Sequence, residues 1–225
     1  MRLSGKLRKE SARDYALRVL KENIISLELK PGTPISENEL AAELGISRTP
    51  VREAIIDLAR ANVIETYPQK GSFISKIDPK MVEEARFLRQ ITDTAVTLEA
   101  CGTIEGERLR EIEENVALQE FYLDKGMTDR IFELDNRFHK LIYIAVGKEL
   151  IHEIHSTLMI HFDRVRNISV ETVKDFKVVN DHRAILEAIK AGDKEKAAEL
   201  VDKHLHRYKF DEAVIRSQRP EYFKQ

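Results

Sequence analysis

The sequence predicts a mostly α-helical protein with two parts, a small N-terminal domain (residues 1–77) and a C-terminal antiparallel bundle of six helices (residues 78–225). Two observations carry this prediction. Apolar residues recur at helical spacing through most of the chain, whereas strand-like segments are found mainly around residues 63–75. At 225 residues, the chain is long enough for one small and one larger domain, each with an apolar core.

The first predicted element is an amphipathic helix that supplies the back of the N-terminal core. It ends at the segment Leu29-Lys30-Pro31-Gly32, because proline and glycine interrupt helices. Its apolar positions recur at helical spacing and are Tyr15, Ala16, Val19, Leu20, Ile24 and Leu27.

Two short helices are predicted within residues 36–61, on either side of Gly45. Glycine permits a sharp reversal that a residue with a Cβ atom would resist. Arg48 and Arg52 are four residues apart near the start of the second helix, so they share an outward face. In a helix-turn-helix this end of the second helix enters the major groove, where arginine recognises guanine. The pattern predicts a protein that binds double-stranded DNA. The alternative is a helical hairpin with two solvated arginines.

A β-hairpin is predicted directly after these helices. Residues 63–67 and 72–75 read as two strands around the turn Pro68-Gln69-Lys70-Gly71. At the tip of the hairpin, the Lys70 ammonium and the Gly71 backbone can both approach phosphate or the minor groove. A hairpin in this place is a wing, so the N-terminal part is predicted to be a winged helix-turn-helix domain.

These elements carry a resemblance to a known family. A helix, a Leu-x-x-Gly segment, the run Gly-Ile-Ser-Arg-Thr-Pro-Val-Arg-Glu-Ala at 45–54 and a wing containing Gly-Ser-Phe follow one another. Over about residues 10–77, the chain resembles the GntR family of bacterial regulators. The resemblance implies DNA contacts by matched motif position: Arg48 and Arg52 on bases, Ser47 and Thr49 on phosphates, and Lys70 with Gly71 at the wing. Asn38 stands where many members carry an arginine, so its contact with DNA is expected to differ.

Charge is unevenly distributed between the two parts. The whole chain has a net charge of -2. Residues 1–77 contain 13 Lys and Arg against 10 Asp and Glu, and the remaining residues contain 24 against 29. The basic excess therefore lies in the part with the DNA-binding motif. Because this excess is modest, we expect a homodimer to be needed for affinity to a pseudo-palindromic operator.

Three features predict the cellular compartment. No apolar run approaches the length that spans a bilayer, and the N-terminal segment lacks the apolar core of a signal peptide. The single cysteine, Cys101, cannot form an internal disulfide. We therefore expect a cytoplasmic protein without a membrane partner.

The C-terminal part is predicted to be an antiparallel bundle, whose interior is a natural place for a ligand. Gly102, Gly126, Gly147 and Gly192 fall where helices end. The six predicted helices cover residues 79–101, 105–124, 127–146, 149–168, 171–191 and 193–217.

Four polar residues of the bundle are candidates for a metal site: Asp135, His139, His182 and His204. Asp135 and His139 are four residues apart and point the same way. With two imidazoles from facing helices, they would chelate a divalent cation and leave coordination positions open. The spacing equally allows histidines that are satisfied within the core. His152 and His155 share a face and are interpreted as cavity-lining or surface residues.

The motifs Asp135-Asn-Arg-Phe-His139, Asp181-His182-Arg and Lys203-His204-Leu carry a second resemblance. Residues 79–217 resemble the FCD ligand-binding domain of the FadR subfamily, and six helices rather than seven indicate its VanR-like branch. This resemblance implies that the aspartate and the three histidines hold a divalent metal ion, zinc, nickel or manganese. It also implies that Arg89, four residues before an aspartate that replaces the usual glutamate, pairs with an effector carboxylate.

The sequence therefore predicts a homodimeric transcriptional regulator, not an enzyme. Its operator affinity would be controlled by a small organic acid bound at the metal site. One alternative is a metal-dependent hydrolase fused to a DNA-binding domain, because one aspartate and three histidines can activate water. No general base or oxyanion donor is evident for such a reaction. The other alternative is a regulator in which the metal is purely structural.

Overall fold

The structure is a computed structural model that describes residues 1–127, 130–172 and 177–224; the side chains at 170–172 and 208–213 are outside that description. The chain is mostly helical, with one small sheet, as the sequence predicts. Within the described ranges, no helix combines the length and the apolar character needed to cross a bilayer.

The N-terminal part contains three helices and a three-stranded antiparallel sheet in the order β1-β3-β2. Ile64 lies opposite Ile74 in the predicted hairpin, which is confirmed. The first strand was not predicted, because a two-residue strand has no alternating pattern to detect. The helices are α1 (Ala12–Ile25), α2 (Glu37–Leu44) and α3 (Arg48–Arg60), and the strands are β1 (Pro34–Ile35), β2 (Ile64–Tyr67) and β3 (Gly71–Ile74).

Local chemistry explains where α2 and α3 begin and end. The Ser36 hydroxyl accepts a hydrogen bond from the Glu39 amide at 3.4 Å and so caps the start of α2. Gly45 ends α2 with a φ of 66°, in the left-handed region that favours glycine. Ser47 precedes α3, but its side chain makes no capping hydrogen bond. The turn of the helix-turn-helix is therefore fixed mainly by glycine and by packing.

The apolar face of α1 packs against α2, α3 and the hairpin, as its periodicity predicts, but α1 ends at Ile25, and Leu27 lies beyond it with a φ of 60°. Val19, Ile24 and Val51 are fully buried there. Ile160, from the C-terminal part, belongs to the same apolar cluster. The core behind the DNA-binding motif therefore includes a residue of the helical bundle.

The C-terminal part contains seven helices among its described residues, not the predicted six. The predicted helix over 149–168 is two helices, and residues 171–172 end the second of them rather than starting the next. Residues 128–129 and 173–176, which fall at the predicted starts of two helices, lie outside the described part. The helices are α4 (Pro79–Ala100), α5 (Gly106–Asp124), α6 (Ile131–Ala145), α7 (Glu149–Ser156), α8 (Ile160–Thr172), α9 (Lys177–Ala191) and α10 (Lys194–Gln218).

A contact with the N-terminal part explains the break between α7 and α8. The Lys21 ammonium donates to the Ser156 carbonyl at 2.9 Å, which satisfies a carbonyl group at the end of α7. The amides of Leu158 and Met159 both donate to the His155 carbonyl, which tightens the last turn. Periodicity within 149–168 could not reveal this break, because a distant lysine helps to produce it. The six-helix count was wrong, and it no longer supports the VanR-like branch.

Two apolar clusters hold the bundle together. The larger one joins α4, α5, α6, α9 and α10, and Phe138 and Tyr143 are fully buried in it. The smaller one surrounds α8 and includes Phe162 and Phe223. Phe223 also forms a parallel β-bridge with Ile77, so the C-terminal segment lies beside the connection between the two parts.

Candidate functional site

The structure brings the four predicted metal ligands together. One ligand atom from each of Asp135, His139, His182 and His204 lies within 4.8 Å of the others, and all four side chains are buried. The Nε2 atoms of His139 and His204 are 3.2 Å apart. His182 Nε2 lies 3.6 Å from Asp135 Oδ1. Helices α6, α9 and α10 therefore converge on one polar centre inside the bundle.

Acceptors on neighbouring helices orient the outer ring nitrogens. His139 Nδ1 lies 3.0 Å from Asp93 Oδ2, and His182 Nδ1 lies 2.7 Å from Gln119 Oε1. His204 Nδ1 faces Asp181 Oδ2 at 3.8 Å, too far for a direct hydrogen bond. Outer acceptors of this kind fix the tautomer and leave Nε2 for a metal. The sequence did not reveal the role of Gln119, because its partner lies on another helix.

One ring nitrogen of the cluster, Nε2 of His182, bears on whether a cation fits this centre. His182 Nε2 is buried and has no hydrogen-bond partner within the described part of the chain. A buried imidazole nitrogen without a partner is costly, and a cation at the centre would remove that cost. Three imidazole nitrogens and one carboxylate oxygen form a donor set that suits zinc, nickel and manganese. The residues present therefore fit a divalent cation.

The protonation states also suit metal binding. Burial, with a smaller contribution from the Arg89 charge, lowers the pKa of His139 to about 4. Burial likewise lowers the pKa of His182 well below its usual range. For Asp135, burial opposes ionisation, but Arg166 and the neighbouring imidazoles hold its pKa below the usual range. Neutral imidazoles and an ionised carboxylate are the forms that bind metal.

A cavity of about 200 Å³ opens beside this centre, with His139 and Arg89 in its wall. Arg89 is buried, and its Nε donates to Asp93 Oδ2 at 3.0 Å. His152 and His155 also line the cavity, in agreement with their interpretation. Arg166 also lies in the cavity wall, paired with Asp135 and Asp163.

The predicted DNA contacts lie on the surface of the N-terminal part. Arg48 Nε donates to Glu37 Oε2 at 2.6 Å, and Arg52 Nε lies 4.0 Å from the other oxygen of the same carboxylate. Sequence reasoning missed Glu37, because the turn between the helices brings it near α3. The predicted contacts are all exposed: Arg48, Arg52, Ser47, Thr49, Asn38, Lys70 and Gly71.

Comparisons with known proteins agree with this architecture. Residues 15–74 match the model of the gntR family of bacterial regulatory proteins, and residues 84–207 match the model of the FCD domain. The chain belongs to the GntR family and carries an FCD domain. It is 30% identical over 209 residues to the HTH-type transcriptional repressor RspR of Escherichia coli K12, covering 92% of each chain. It is 34% identical over 220 residues to an HTH-type transcriptional regulator of Streptomyces ambofaciens, covering 94% of this chain and 89% of the relative.

Solved structures share the whole fold of this GntR protein. The structure of E. coli McbR/YncC has a TM-score of 0.79 at 21% identity and covers 93% of this chain and 99% of its own. A GntR regulator from Rhodococcus sp. RHA1 has a TM-score of 0.75 at 20% identity, covering 92% and 99%. The family and the named relatives make this GntR protein a DNA-binding transcriptional regulator rather than an enzyme.

Proposed function

We propose that this GntR protein is a homodimeric regulator whose operator affinity is controlled by a small carboxylate effector bound beside a divalent metal ion. Residues 1–77 form its DNA-binding unit, and residues 78–225 form its effector-binding unit. One observation carries the proposal: the buried Asp/His cluster borders a cavity whose wall also contains Arg89. A metal with open coordination positions and a guanidinium in one cavity suit a carboxylate.

Asp135, His139, His182 and His204 would hold the cation, which we expect to be zinc, nickel or manganese. When bound, the cation supplies a positive charge for an effector oxygen. The chain itself positions the ligands, because Asp93 accepts from His139 on one side and from the Tyr143 hydroxyl, at 2.8 Å, on the other. The same Asp93 pairs with Arg89, so the effector-binding arginine and a metal ligand share one carboxylate.

At the DNA, Arg48 and Arg52 would contact bases in the major groove. Ser47 and Thr49 would contact phosphates, Asn38 would make a base or phosphate contact that differs from that of the arginine in many members, and Lys70 with Gly71 would contact DNA at the wing. In the free protein, Glu37 pairs with Arg48, and this exposed pair is weak enough to exchange for guanine. Glu37 therefore pairs with Arg48 in the free protein without preventing Arg48 from binding a base.

Exposed apolar side chains support a homodimer. On α4, Phe87 and Ile91 are four residues apart and 61% and 52% exposed. On α7, Leu150 and Ile154 have the same spacing and are 67% and 65% exposed. Clustered exposed apolar residues of this kind are typical of interfaces. A two-fold dimer would present two recognition helices to a pseudo-palindromic operator, in the cytoplasm.

The cavity also favours an effector site over a purely structural metal, since a purely structural metal requires no neighbouring cavity and a metal that takes more than four ligands keeps positions for an effector oxygen. The experiment compares thermal stabilisation by a panel of small organic acids in the metal-loaded parent, the metal-free parent and an Arg89→Ala variant. Bound ligands raise apparent stability by mass action. We expect the stabilisation to require both the metal and Arg89. An acid that stabilises all three forms equally would place the effector elsewhere and leave the metal with a structural role.

A further inference from the structure

The effector cavity has one wall that belongs to the DNA-binding unit. Lys21 and Ile25 of α1 line it, opposite residues of α4 and α6. The Lys21 ammonium reaches across to α7, where it donates to the carbonyl oxygen of Ser156 at 2.9 Å and lies 3.3 Å from its hydroxyl oxygen. A ligand in this cavity would therefore touch both units at once.

The cationic groups of this cavity differ in how their charges are compensated. Arg89 is paired with Asp93, and Arg166 is paired with Asp135 and Asp163. Lys21, by contrast, has no carboxylate oxygen within 4.0 Å of its nitrogen in the described part of the chain. Burial lowers the pKa of Lys21, and the charge of Asp163, at longer range, opposes this shift. Among the described residues, the α1 side of the cavity thus holds an ammonium that no carboxylate contacts directly.

A second, independent observation lies in the same wall. His155 is 6% exposed, and among the described residues neither of its ring nitrogens has a hydrogen-bond partner. Buried polar side chains almost always have partners, so these two nitrogens are suited to bind a polar group of a ligand. A neutral imidazole offers one donor and one acceptor, and its donor suits a carboxylate oxygen.

We propose that the effector is a small dicarboxylate, with its second carboxylate bound by Lys21 and His155. This rests on the proposed function, in which the first carboxylate is bound by the metal and Arg89. A monocarboxylate would contact only the Arg89 end and leave Lys21 without a directly bound carboxylate. The cavity, about 200 Å³, is smaller than the roughly 300–1,000 Å³ typical of sites for drug-sized ligands, which limits the effector to a short chain.

A dicarboxylate bound by Lys21 could change DNA affinity through α1. Lys21 lies on α1, which packs against the recognition helix α3 through their shared apolar core. Arg13 of α1 also donates to Asp57 of α3 at 3.0 Å. A dicarboxylate held between Lys21 and the bundle would fix α1, and with α1 the recognition helix, relative to the bundle. By linkage, operator DNA would change dicarboxylate affinity by the same factor.

The test measures affinities of full-length, metal-loaded protein for acids of matched length, by calorimetry: succinate with butyrate, glutarate with valerate, and adipate with hexanoate. In the parent, we expect at least one dicarboxylate to bind about tenfold or more tightly than its matched monocarboxylate, the value of a hydrogen bond to a charged group. Lys21→Met should remove this preference, and His155→Leu should reduce it. Lys80→Met is the control, because that side chain is 84% exposed on α4.

The outcomes separate this inference from the function on which it rests. Loss of all acid binding in Arg89→Ala or metal-free protein supports the proposed function alone. If acids bind in that dependent way but show no preference for the dicarboxylate, or if none of the three dicarboxylates binds, the inference is overturned. Equal loss of monocarboxylate and dicarboxylate binding in Lys21→Met would overturn it too. Lys21 would then maintain the shape of the cavity rather than bind the second carboxylate. If Lys21→Met does not fold, the preference for the dicarboxylate is measured in His155→Leu instead.

Discussion

Replacing His139 by alanine should remove the stability that metal contributes to this GntR protein. At a free metal concentration of about 100 times Kd, a bound metal stabilises the fold by about 2.7 kcal/mol. In a chain of this size, about 2–4 °C per kcal/mol converts that contribution into an increase in Tm of about 5–11 °C. His139→Ala removes one of four ligands and leaves Asp93 without one of its partners. We therefore expect almost no metal-dependent increase in the variant.

The assay records thermal unfolding with a chelator and then with zinc, nickel or manganese. The difference between the two midpoints is the diagnostic quantity, because His139→Ala also leaves a small cavity that lowers stability without metal. His206→Ala is the matched control on α10. The His206 side chain is 36% exposed, and its Nδ1 lies 2.8 Å from the Asp202 carbonyl oxygen, away from the cluster. This control should keep the full increase.

Two results would refute the reasoning. An increase in Tm of parental size in His139→Ala would show that the metal is bound elsewhere. No increase in the parent with any of the three metals would show that the cluster is a set of satisfied core histidines, and the unpartnered His182 Nε2 would then need another explanation.

Four further predictions concern DNA, ligand orientation, the turn and pH. Arg52→Ala should weaken operator binding by about 1–3 kcal/mol and relax preference at one base pair, whereas Lys70→Ala should weaken all duplexes alike; anisotropy titrations with cognate and scrambled duplexes decide this. Gln119→Leu, which deprives a histidine ligand of its outer acceptor, should lower metal affinity about 10–100-fold in competition with a chelator. Gly45→Ala should lower the free energy of unfolding by about 1–2 kcal/mol in urea, because its φ of 66° disfavours a Cβ atom. Since burial lowers the pKa of His139 to about 4, protons should displace the metal only when the pH falls below the ordinary imidazole pKa of about 6.5. Loss of metal above that pH, measured by elemental analysis, would contradict this.

The sequence predicted the elements whose signals are local. Asp135 and His139 share a helical face because they are four residues apart on one helix. Gly45 predicts a turn from its own conformational preference, whatever the packing of the two helices. The features that it did not predict depend on contacts between distant elements. Glu37 reaches Arg48 across the turn, and Lys21 satisfies the end of α7 from a helix more than a hundred residues earlier. Periodicity within one segment contains no information about such partners.

Helix α8 gives a physical reason why occupancy of the cavity can alter DNA binding. On one face, Arg164 donates to the Ser75 carbonyl, just after the wing, at 2.7 Å. His161 lies on the same side; its Nδ1 accepts from Arg164, so its Nε2 carries the proton and donates to the Asn62 carbonyl at 3.1 Å, between α3 and the wing.

On the other face of α8, Asp163 and Arg166 line the effector cavity. Because a helix of this length moves largely as a rigid unit, a movement of α8 that carries Arg166 toward a bound anion would also displace the hydrogen bonds of Arg164 and His161. The Arg164 bonds are buried and the bond from His161 to Asn62 is partly buried, so breaking them without replacement is costly. The wing and α3 would then follow α8 or lose contact with it. An effector that binds the two arrangements with different affinities would change the geometry of the DNA-binding surface through this helix as well as through α1.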